Sequence, residues 1–337
     1  MHGWIWTQTN DAHNEVVALR RAEDGGLEET GRFATGGAGD GVVHLTSQGS
    51  VTRSGDGRWL LIANAASDDV SVLAITAEGL EAGKMTPTGG SAPKSVAESD
   101  GLVYVLNQGS STVAGFRLMA GDLEPIEGSA RPLSAERADA AQVGFTPDGR
   151  ALVITERGTD SIVTFPVTMD GMLGEQKVHP SSGPTPYGFT FANGALVVTE
   201  AFRAGKGEAA ASSYAVMGDA VVPVTRSVGN GRSEICWAVP SKDGRFVFTT
   251  NFADGAVSRY AVAADGSLTL EDAAAGITID GRPGLRDEDL SDDGRFLYAI
   301  DADQGAVAGW AVEADGRLTS IGSWVGLPTT IAGLAAS

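Results

Sequence analysis

The chain is 337 residues long, 42% hydrophobic, and carries a formal net charge of −19 at pH 7. This charge argues against nucleic acid as a partner, because phosphates are held by clusters of Lys and Arg. No apolar run approaches the length that spans a bilayer, so no membrane partner is expected. The opening residues MHGWIWTQTN contain neither a basic segment nor an apolar signal core, and the lone Cys236 excludes an internal disulfide. A cytoplasmic protein is therefore expected.

Short strands separated by tight turns follow one another along the whole chain. The first, GWIWTQTN (Gly3–Asn10), is followed by EVVALRRA and LEETGRFAT. Beyond them a longer phrase repeats: an apolar strand, an Asp-Gly-Arg turn, a second strand ending in Asn or an acid, a loop of small residues and a third strand. Clear copies begin at Val51, Val143, Trp237 and Glu288, and weaker copies at Ser95 and Tyr187. A period of about 45 residues with several strands per unit indicates the blades of a β-propeller.

Six full units and the N-terminal stretch make seven blades, of which the first lacks an innermost strand. The apolar tail TIAGLAAS (Thr330–Ser337) has no partner strand of its own. Placing it innermost in blade 1 closes the ring and removes exposed sheet edges. The sequence therefore predicts an all-β, seven-bladed β-propeller of four-stranded blades, a single domain over residues 1–337 closed by its C-terminal strand. The predicted blades are blade 1 (1–48 plus 329–337), blade 2 (49–92), blade 3 (93–139), blade 4 (140–184), blade 5 (185–234), blade 6 (235–284) and blade 7 (285–328).

The loops after the second strands and the starts of the inner strands open on one face of a propeller, around its central channel. The second strands end at Asn64, Asn107, Glu156, Glu200, Asn251 and Asp301. The inner strands begin with Gln48, Lys94, Gln142, Tyr187, Trp237 and Glu288, and Arg157 and Arg203 follow two of the acids. A concave mouth with converging polar groups is the default position for a binding site. Asn at a strand end also caps turns. Each of the three Asn residues is therefore interpreted either as a ligand contact or as a turn cap.

Two glutamates stand out in this ring. Glu156 and Glu200 follow apolar β-runs (ALVIT and ALVVT), and Glu is a poor turn former. At the mouth, neighbouring carboxylates would separate each other's pKa values, as general acid–base chemistry requires. The sequence predicts Glu200 as general acid or base, Glu156 as its electrostatic partner, and Gln142 as a group that polarises a carbonyl. The predicted substrate-binding residues are Asn64, Asn107, Tyr187, Phe202, Trp237, Asn251, Phe252, Asp301, Arg157 and Arg203.

The repeats, together with GPTPYGF, NGALVVTEAF and the closing GLPTTIAGLAAS, resemble the seven-bladed propeller lactonase family. This family includes 6-phosphogluconolactonase of the bacterial cytoplasmic type and fungal carboxymuconate cyclase. The resemblance covers essentially the whole chain. It implies a propeller fold and an activity that opens or forms a lactone ring at the channel mouth.

The sequence departs from the family's pattern at three positions. Members usually carry His before the Gln that opens the fourth inner strand, Arg-His after Gly-Pro at the fifth blade, and Asn-Arg at the end of the sixth blade's second strand. Here the corresponding pairs are Ala141-Gln142, Thr185-Pro186 and Asn251-Phe252. The resemblance carries over Gln142, Glu200 and Asn251, and it implies a pocket that is less basic and more aromatic.

The predicted function is a lactonase-like or cyclase-like enzyme acting on a small, apolar or aromatic, ring-containing metabolite, as a monomer without a cofactor. Two alternatives stay open. Glu200, Asn251 and Asp301 on successive blades are oxygen ligands that suit Ca²⁺ or Mg²⁺, which would make a metal-dependent lactone hydrolase. The second alternative is a non-catalytic propeller that serves as a binding scaffold.

Overall fold

The computed structural model describes residues 3–43, 45–46, 48–279 and 281–337, and these residues form seven antiparallel sheets arranged as blades in a ring. The predicted all-β, seven-bladed propeller is confirmed. Four positions of predicted blade 1 (1, 2, 44 and 47) and one of blade 6 (280) lie outside the described residues. Among those described, no helix has the length and apolar character needed to cross a membrane.

Each blade is a meander of neighbouring strands. The strands of blades 1 to 3 are β1 (Gly3–Gln8), β2 (Glu15–Arg21), β3 (Leu27–Ala34), β4 (Val51–Arg53), β5 (Trp59–Asn64), β6 (Asp69–Thr76), β7 (Gly79–Pro87), β8 (Pro93–Ser99), β9 (Leu102–Asn107), β10 (Thr112–Met119), β11 (Asp122–Pro125) and β12 (Arg131–Pro132). The strands of blades 4 and 5 are β13 (Ala140–Phe145), β14 (Ala151–Glu156), β15 (Ser161–Pro166), β16 (Lys177–Pro180), β17 (Pro186–Ala192), β18 (Ala195–Glu200), β19 (Ala210–Met217) and β20 (Ala220–Gly229). Those of blades 6, 7 and the tail are β21 (Ile235–Pro240), β22 (Phe246–Asn251), β23 (Ala256–Val262), β24 (Leu268–Ile277), β25 (Leu285–Leu290), β26 (Phe296–Asp301), β27 (Ala306–Val312), β28 (Leu318–Val325) and β29 (Ala332–Ala336). In blade 3 the outer strand is interrupted, because β11 and β12 both pair with β10.

The C-terminal strand closes the ring as predicted. β29 pairs antiparallel with β1 and gives blade 1 the order β29-β1-β2-β3. All five of its residues are buried. The core of the molecule lies between blades: Leu102 and Tyr104 of blade 3, for example, share one apolar cluster with Leu152 and Ile154 of blade 4.

The Asp-Gly turns between first and second strands have one repeated construction. At the first of them, Asp56 accepts hydrogen bonds from the Ser54 hydroxyl (2.7 Å) and the Arg58 amide (3.0 Å), and Gly57 adopts the positive φ of 71° that the turn needs. The Ser54 and Arg58 bonds lower the pKa of Asp56. The same bonds recur at Asp148, Asp243 and Asp293.

A β-bulge at the start of several inner strands positions the site. The register of each inner strand against its neighbour shifts between Ala140 and Gln142, between Pro186 and Phe189, between Ile235 and Ala238, and between Leu285 and Glu288. The skipped residues are Ala141, Tyr187, Gly188, Cys236, Trp237, Arg286 and Asp287. Bulges re-aim side chains and concentrate beside functional sites. At these bulges Tyr187, Cys236 and Trp237 reach the mouth of the channel, whereas Asp287 lines a cavity further down.

Candidate active site at the channel mouth

A pocket of about 360 Å³ opens at the mouth of the channel, between blades 4, 5 and 6. It lies at the starts of β17 and β21 and beneath the loops that follow β14, β18 and β22. Its lining residues are Thr46, Arg157, Thr185, Tyr187, Ala201, Arg203, Ala204, Glu234, Cys236, Trp237 and Phe252. Five of the predicted substrate-binding residues therefore meet here: Arg157, Tyr187, Arg203, Trp237 and Phe252.

The floor of this mouth pocket is aromatic. The rings of Tyr187 and Trp237 pack edge to face with centroids 5.5 Å apart, and both residues are buried. They belong to one apolar cluster with Ala141, Cys236 and, at its edge, Phe252. Burial raises the pKa of the Tyr187 hydroxyl and of the Cys236 thiol, so both stay protonated. An apolar ring can stack against this floor.

Two arginines border the floor. The Arg157 guanidinium lies 5.0 Å from the centroid of the Tyr187 ring and donates to the Asp139 carboxylate at 2.6 Å. Arg203 forms an ion pair with Asp160. The backbone around Arg203 is strained, because Phe202, Arg203 and Ala204 have φ values of 46°, 52° and 60°. Strain of this kind persists where the surroundings enforce it, and it is common at binding sites.

Glu234 supplies a carboxylate to the described lining of the mouth pocket. Partial burial raises its pKa, and the nearby Asp254 carboxylate adds to the rise. Its φ is 54°, and its carbonyl oxygen accepts hydrogen bonds from the Phe252 amide (2.9 Å) and the Cys236 thiol (3.2 Å). These bonds hold the residue against the floor, where a carboxyl with a raised pKa suits proton transfer.

Sequence reasoning missed Glu234, although the repeat contains a signal for it. The residue just before an inner strand has a positive φ in five blades: Ala92, Asp139, Thr185, Glu234 and Gly284. Thr185 and Glu234 line the mouth pocket, and Asp139 holds Arg157. Aligning the repeats on that position, rather than on the strand ends, would have selected these residues.

Arg286 lies behind the mouth pocket and was also missed. Its guanidinium stacks on the Phe252 ring at 5.1 Å, and its side chain is buried. None of its three guanidinium nitrogens has a hydrogen-bond partner among the described residues. Burial lowers its pKa, while Asp287 and Tyr187 act against that fall. A buried guanidinium without hydrogen bonds favours negative charge in the adjoining space.

The ends of the second strands are placed differently from the prediction. Asn64, Asn107, Glu156, Glu200 and Asn251 are fully buried, Asp301 is nearly so, and none of the six lines the mouth pocket. Four of them instead hydrogen-bond the segment that leaves the preceding blade. The partners are Thr35 for Asn64, Ser134 for Glu156, Gly183 for Glu200 and Asn230 for Asn251. Asp301 lies close to Thr278 of the corresponding segment. Asn107 occupies the same position against Gly90, without a hydrogen bond to the described residues. The six residues form a repeated brace between blades.

Glu156 and Glu200 are the two glutamates of this brace. The Glu200 carboxylate accepts hydrogen bonds from the Gly183 amide (2.8 Å), the Ser212 hydroxyl (2.6 Å) and the Ser227 hydroxyl (2.7 Å). Glu156 accepts bonds from the amide and hydroxyl of Ser134 and from the Thr159 hydroxyl. Their lone pairs are directed into the protein, and neither carboxylate lines the mouth pocket, in contrast to the position expected from the sequence.

Two other predicted residues lie apart from the mouth pocket. The Gln142 side chain donates from its Nε2 to the Phe189 carbonyl oxygen (3.1 Å) and accepts at its Oε1 from the Phe189 backbone N–H (2.6 Å). These two bonds satisfy the free edge of β17 further down the channel. The Phe202 ring packs toward Gly183. Gln48 makes the same pair of bonds to Ala238 (3.0 and 3.1 Å) and so spans the channel below the pocket.

Two substitutions of Glu200 distinguish a structural role of its carboxylate from a catalytic role. Glu200→Ala leaves several buried donors without an acceptor, and we expect the free energy of unfolding to fall by about 3 kcal/mol or more. Glu200→Gln keeps the shape, and Ser227 can reverse its hydroxyl, so this variant should melt close to the wild type and keep its turnover. Thermal melts and lactone assays of both variants test this. A Glu200→Gln protein that melts normally but has lost about a hundredfold in rate would restore the catalytic assignment.

A metal centre is not apparent in the part of the chain that the structure describes. No three His, Cys, Asp or Glu side chains there are placed to hold an ion. Of the proposed ligands, Asn251 uses its amide on Asn230, Ala256 and Ser258. Glu200 is engaged in its own blade, as described above. The metal-dependent alternative therefore gains no support from these contacts.

The fold is a seven-bladed propeller, and a pocket opens at the mouth of its channel. The sequence matches the family model described as "Lactonase, 7-bladed beta-propeller" over residues 8–131 and 122–205, which together exceed half of the chain. The protein therefore belongs to the seven-bladed propeller lactonase family, and the resemblance inferred from the repeats is confirmed. A search of curated proteins finds no match.

Solved structures share the fold along the whole chain. The periplasmic gluconolactonase of Pseudomonas aeruginosa is 17% identical with a TM-score of 0.79, covering 100% of this chain and 99% of its own. A candidate 6-phosphogluconolactonase from Bacteroides uniformis is 18% identical with a TM-score of 0.79, again covering 100% and 99% of the two chains. At these identities the similarity establishes the architecture alone.

Proposed function

We propose that the protein is a lactone hydrolase of small-molecule metabolism whose active site is the mouth pocket. The observation that carries the proposal is the position of Glu234, a carboxyl with a raised pKa on an aromatic floor bordered by Arg157. Membership of the lactonase family supports the reaction class.

The proposed reaction uses Glu234 as general base and then as general acid. The carboxylate takes a proton from a water molecule as the water oxygen bonds to the lactone carbonyl carbon. The ring C–O bond then breaks, and Glu234 returns the proton to the leaving alkoxide oxygen. The Arg157 guanidinium borders the same pocket and can stabilise the negative charge that develops on the carbonyl oxygen. Formation of the lactone from the hydroxy acid, with release of water, is this sequence in reverse and needs no further group.

The three departures from the family pattern indicate the class of substrate. Ala141 belongs to the apolar cluster of the floor, and Thr185 and Phe252 line the mouth pocket. Each stands where family members usually have a basic side chain. An apolar or aromatic ring therefore suits this pocket better than a phosphorylated sugar.

The remaining expectations are kept as predictions. They are a monomeric state, a cytoplasmic location and the absence of a cofactor. A solved relative is called periplasmic, so the compartment needs its own experiment.

A panel of lactones tests the function. We expect dihydrocoumarin, an aromatic lactone, to be hydrolysed with a kcat/KM at least about tenfold above that of glucono-δ-lactone, followed by acid release at constant pH. Phe252→Ala should narrow this preference, and Phe202→Ala, outside the pocket, should not. Hydrolysis of no lactone in the panel would favour the binding-scaffold alternative.

A further inference from the structure

The lower part of the channel holds a second cavity, of about 430 Å³. It is lined by the later residues of the inner strands, Phe189 and Thr190 of β17 and Ala238–Pro240 of β21, so it lies toward the opposite end of the channel from the mouth pocket. Gln48 separates the two spaces by bonding the inner edge of blade 6. Nothing in the proposed lactonase chemistry uses this lower cavity.

The lower cavity is strongly acidic. Its lining includes Asp287, Glu288, Asp289 and Asp292 but a single described cation, Arg53. That guanidinium is already committed, since it pairs with Asp292 at 2.6 Å and donates to the Ala336 carbonyl oxygen at 3.2 Å. Asp287 and Glu288 are buried, and Asp289 is half-buried. The β-bulge in β25 allows the neighbours Asp287 and Glu288 to face one cavity, against the usual alternation.

Two of these acids have carboxylate oxygens without partners. Both oxygens of Glu288 and Oδ2 of Asp287 make no hydrogen bond to any described residue, although Glu288 is 96% buried. The nearby Thr250 amide acts against the rise in the pKa of Glu288. Asp289, by contrast, accepts bonds from the amides of Ala336 and Leu290, both at 2.8 Å. Buried polar groups without partners cost free energy unless a ligand satisfies them.

We infer that the lower cavity is a binding site for an aliphatic amine, whose ammonium group bonds Glu288 and Asp287. The alkyl chain of such a ligand finds apolar walls in Phe189, Val239 and Leu334. A bare metal ion fits less well, because no three described acids converge. The volume is within the range of small-molecule sites.

Binding should release protons, which gives a second readout. Burial raises the pKa of Glu288 well above its ordinary value, with Asp289 and Asp287 adding to the rise, and it raises that of Asp287 to about 7. Arg286 beside them and the Arg53–Asp292 pair are the other charged groups that face the cluster. Near neutral pH the cluster therefore holds protons that an ammonium group displaces.

Calorimetry and thermal melts with 1,4-diaminobutane test this inference, which does not depend on the lactonase proposal. We expect millimolar diamine to raise the Tm of the wild type, and the heat of binding to change between two buffers by the amount for about one released proton. Glu288→Gln is neutral and nearly isosteric, so it should fold and bind at least about tenfold more weakly. Glu175→Gln, an exposed acid outside the cavity, is the matched control and should bind like the wild type.

Three results would overturn the site. They are no Tm shift and no heat with the wild type, equal affinity in Glu288→Gln, or a shift of the same size from 1,4-butanediol, which lacks the charge. A Ca²⁺ effect that is stronger than the diamine effect and lost in Glu288→Gln would replace the amine by a metal and overturn the ligand class.

Discussion

Deletion of residues 330–337 is expected to abolish folding of the propeller or to lower its Tm by more than about 10 °C. The deleted segment contains β29, which forms the inner edge of blade 1 against β1. It also joins three blades: the Ser337 amide donates to the Trp4 carbonyl oxygen (2.8 Å), the Ala336 amide to Asp289 (2.8 Å), and Arg53 to the Ala336 carbonyl oxygen (3.2 Å). Its loss exposes the edge of β1 and opens the apolar cluster shared by blades 7 and 1.

Solubility and a melting curve measure the effect of the deletion. Val325→Ser is a suitable control, because Val325 ends the outer strand of blade 7 and is 75% exposed. It should melt like the wild type. A truncated protein with the wild-type melting curve would show that contacts other than β29 close the ring.

The architecture could be predicted because every blade repeats the same short sequence pattern of strands and turns. Each Asp-Gly-Arg turn satisfies its own donors and lies between apolar strands, so the period survives in the sequence. The closure followed from counting strands: blade 1 lacked one, and the tail was an apolar strand without a partner. These arguments need no knowledge of which side chains meet.

The site was harder to predict because strand ends and strand starts face different surroundings. Glu200 ends an apolar strand, a position that suits an active-site acid in sequence, but Ser212 and Ser227 of its own blade and Gly183 of the preceding one donate to it. The alternation of inward and outward side chains along a strand does not predict that Tyr187 and Trp237 share one pocket floor. Bulges shift the register of both inner strands, β17 and β21, at these residues. A bulge depends on backbone pairing with the next strand, which the composition of a single strand does not encode.

The aromatic part of the prediction succeeded for a related reason. Large side chains at the start of an inner strand have space only toward the channel, since the blade faces are already filled. Tyr187 and Trp237 accordingly meet in one cluster, and Phe252, from the loop after β22, packs against it. Phe202, in the loop after β18, lies among three successive left-handed residues and has its ring toward Gly183 instead.

Replacing Glu234 by Gln is expected to lower kcat/KM on the best lactone by at least about a hundredfold, the lower end of general acid–base contributions. The amide cannot take a proton from water or return it to the leaving alkoxide. The fold should be unaffected, because Glu234 holds its neighbours through its backbone carbonyl rather than its carboxylate. The Tm should therefore match that of the wild type.

The pH profile distinguishes a catalytic Glu234 from one that only shapes the mouth pocket. Burial and Asp254 raise its pKa above the ordinary Glu value of 4.5, so the wild-type rate should rise with pH through an acid limb displaced upward from 4.5. Asp254→Asn removes part of that rise and should shift the limb toward lower pH, whereas a purely structural role predicts no movement. Glu208→Gln changes an exposed acid near the same loop and serves as the control.

If Glu234→Gln keeps the full rate and the acid limb while Glu200→Gln loses both, proton transfer belongs to Glu200. The hydrogen bonds from Gly183, Ser212 and Ser227 would then have to open during turnover.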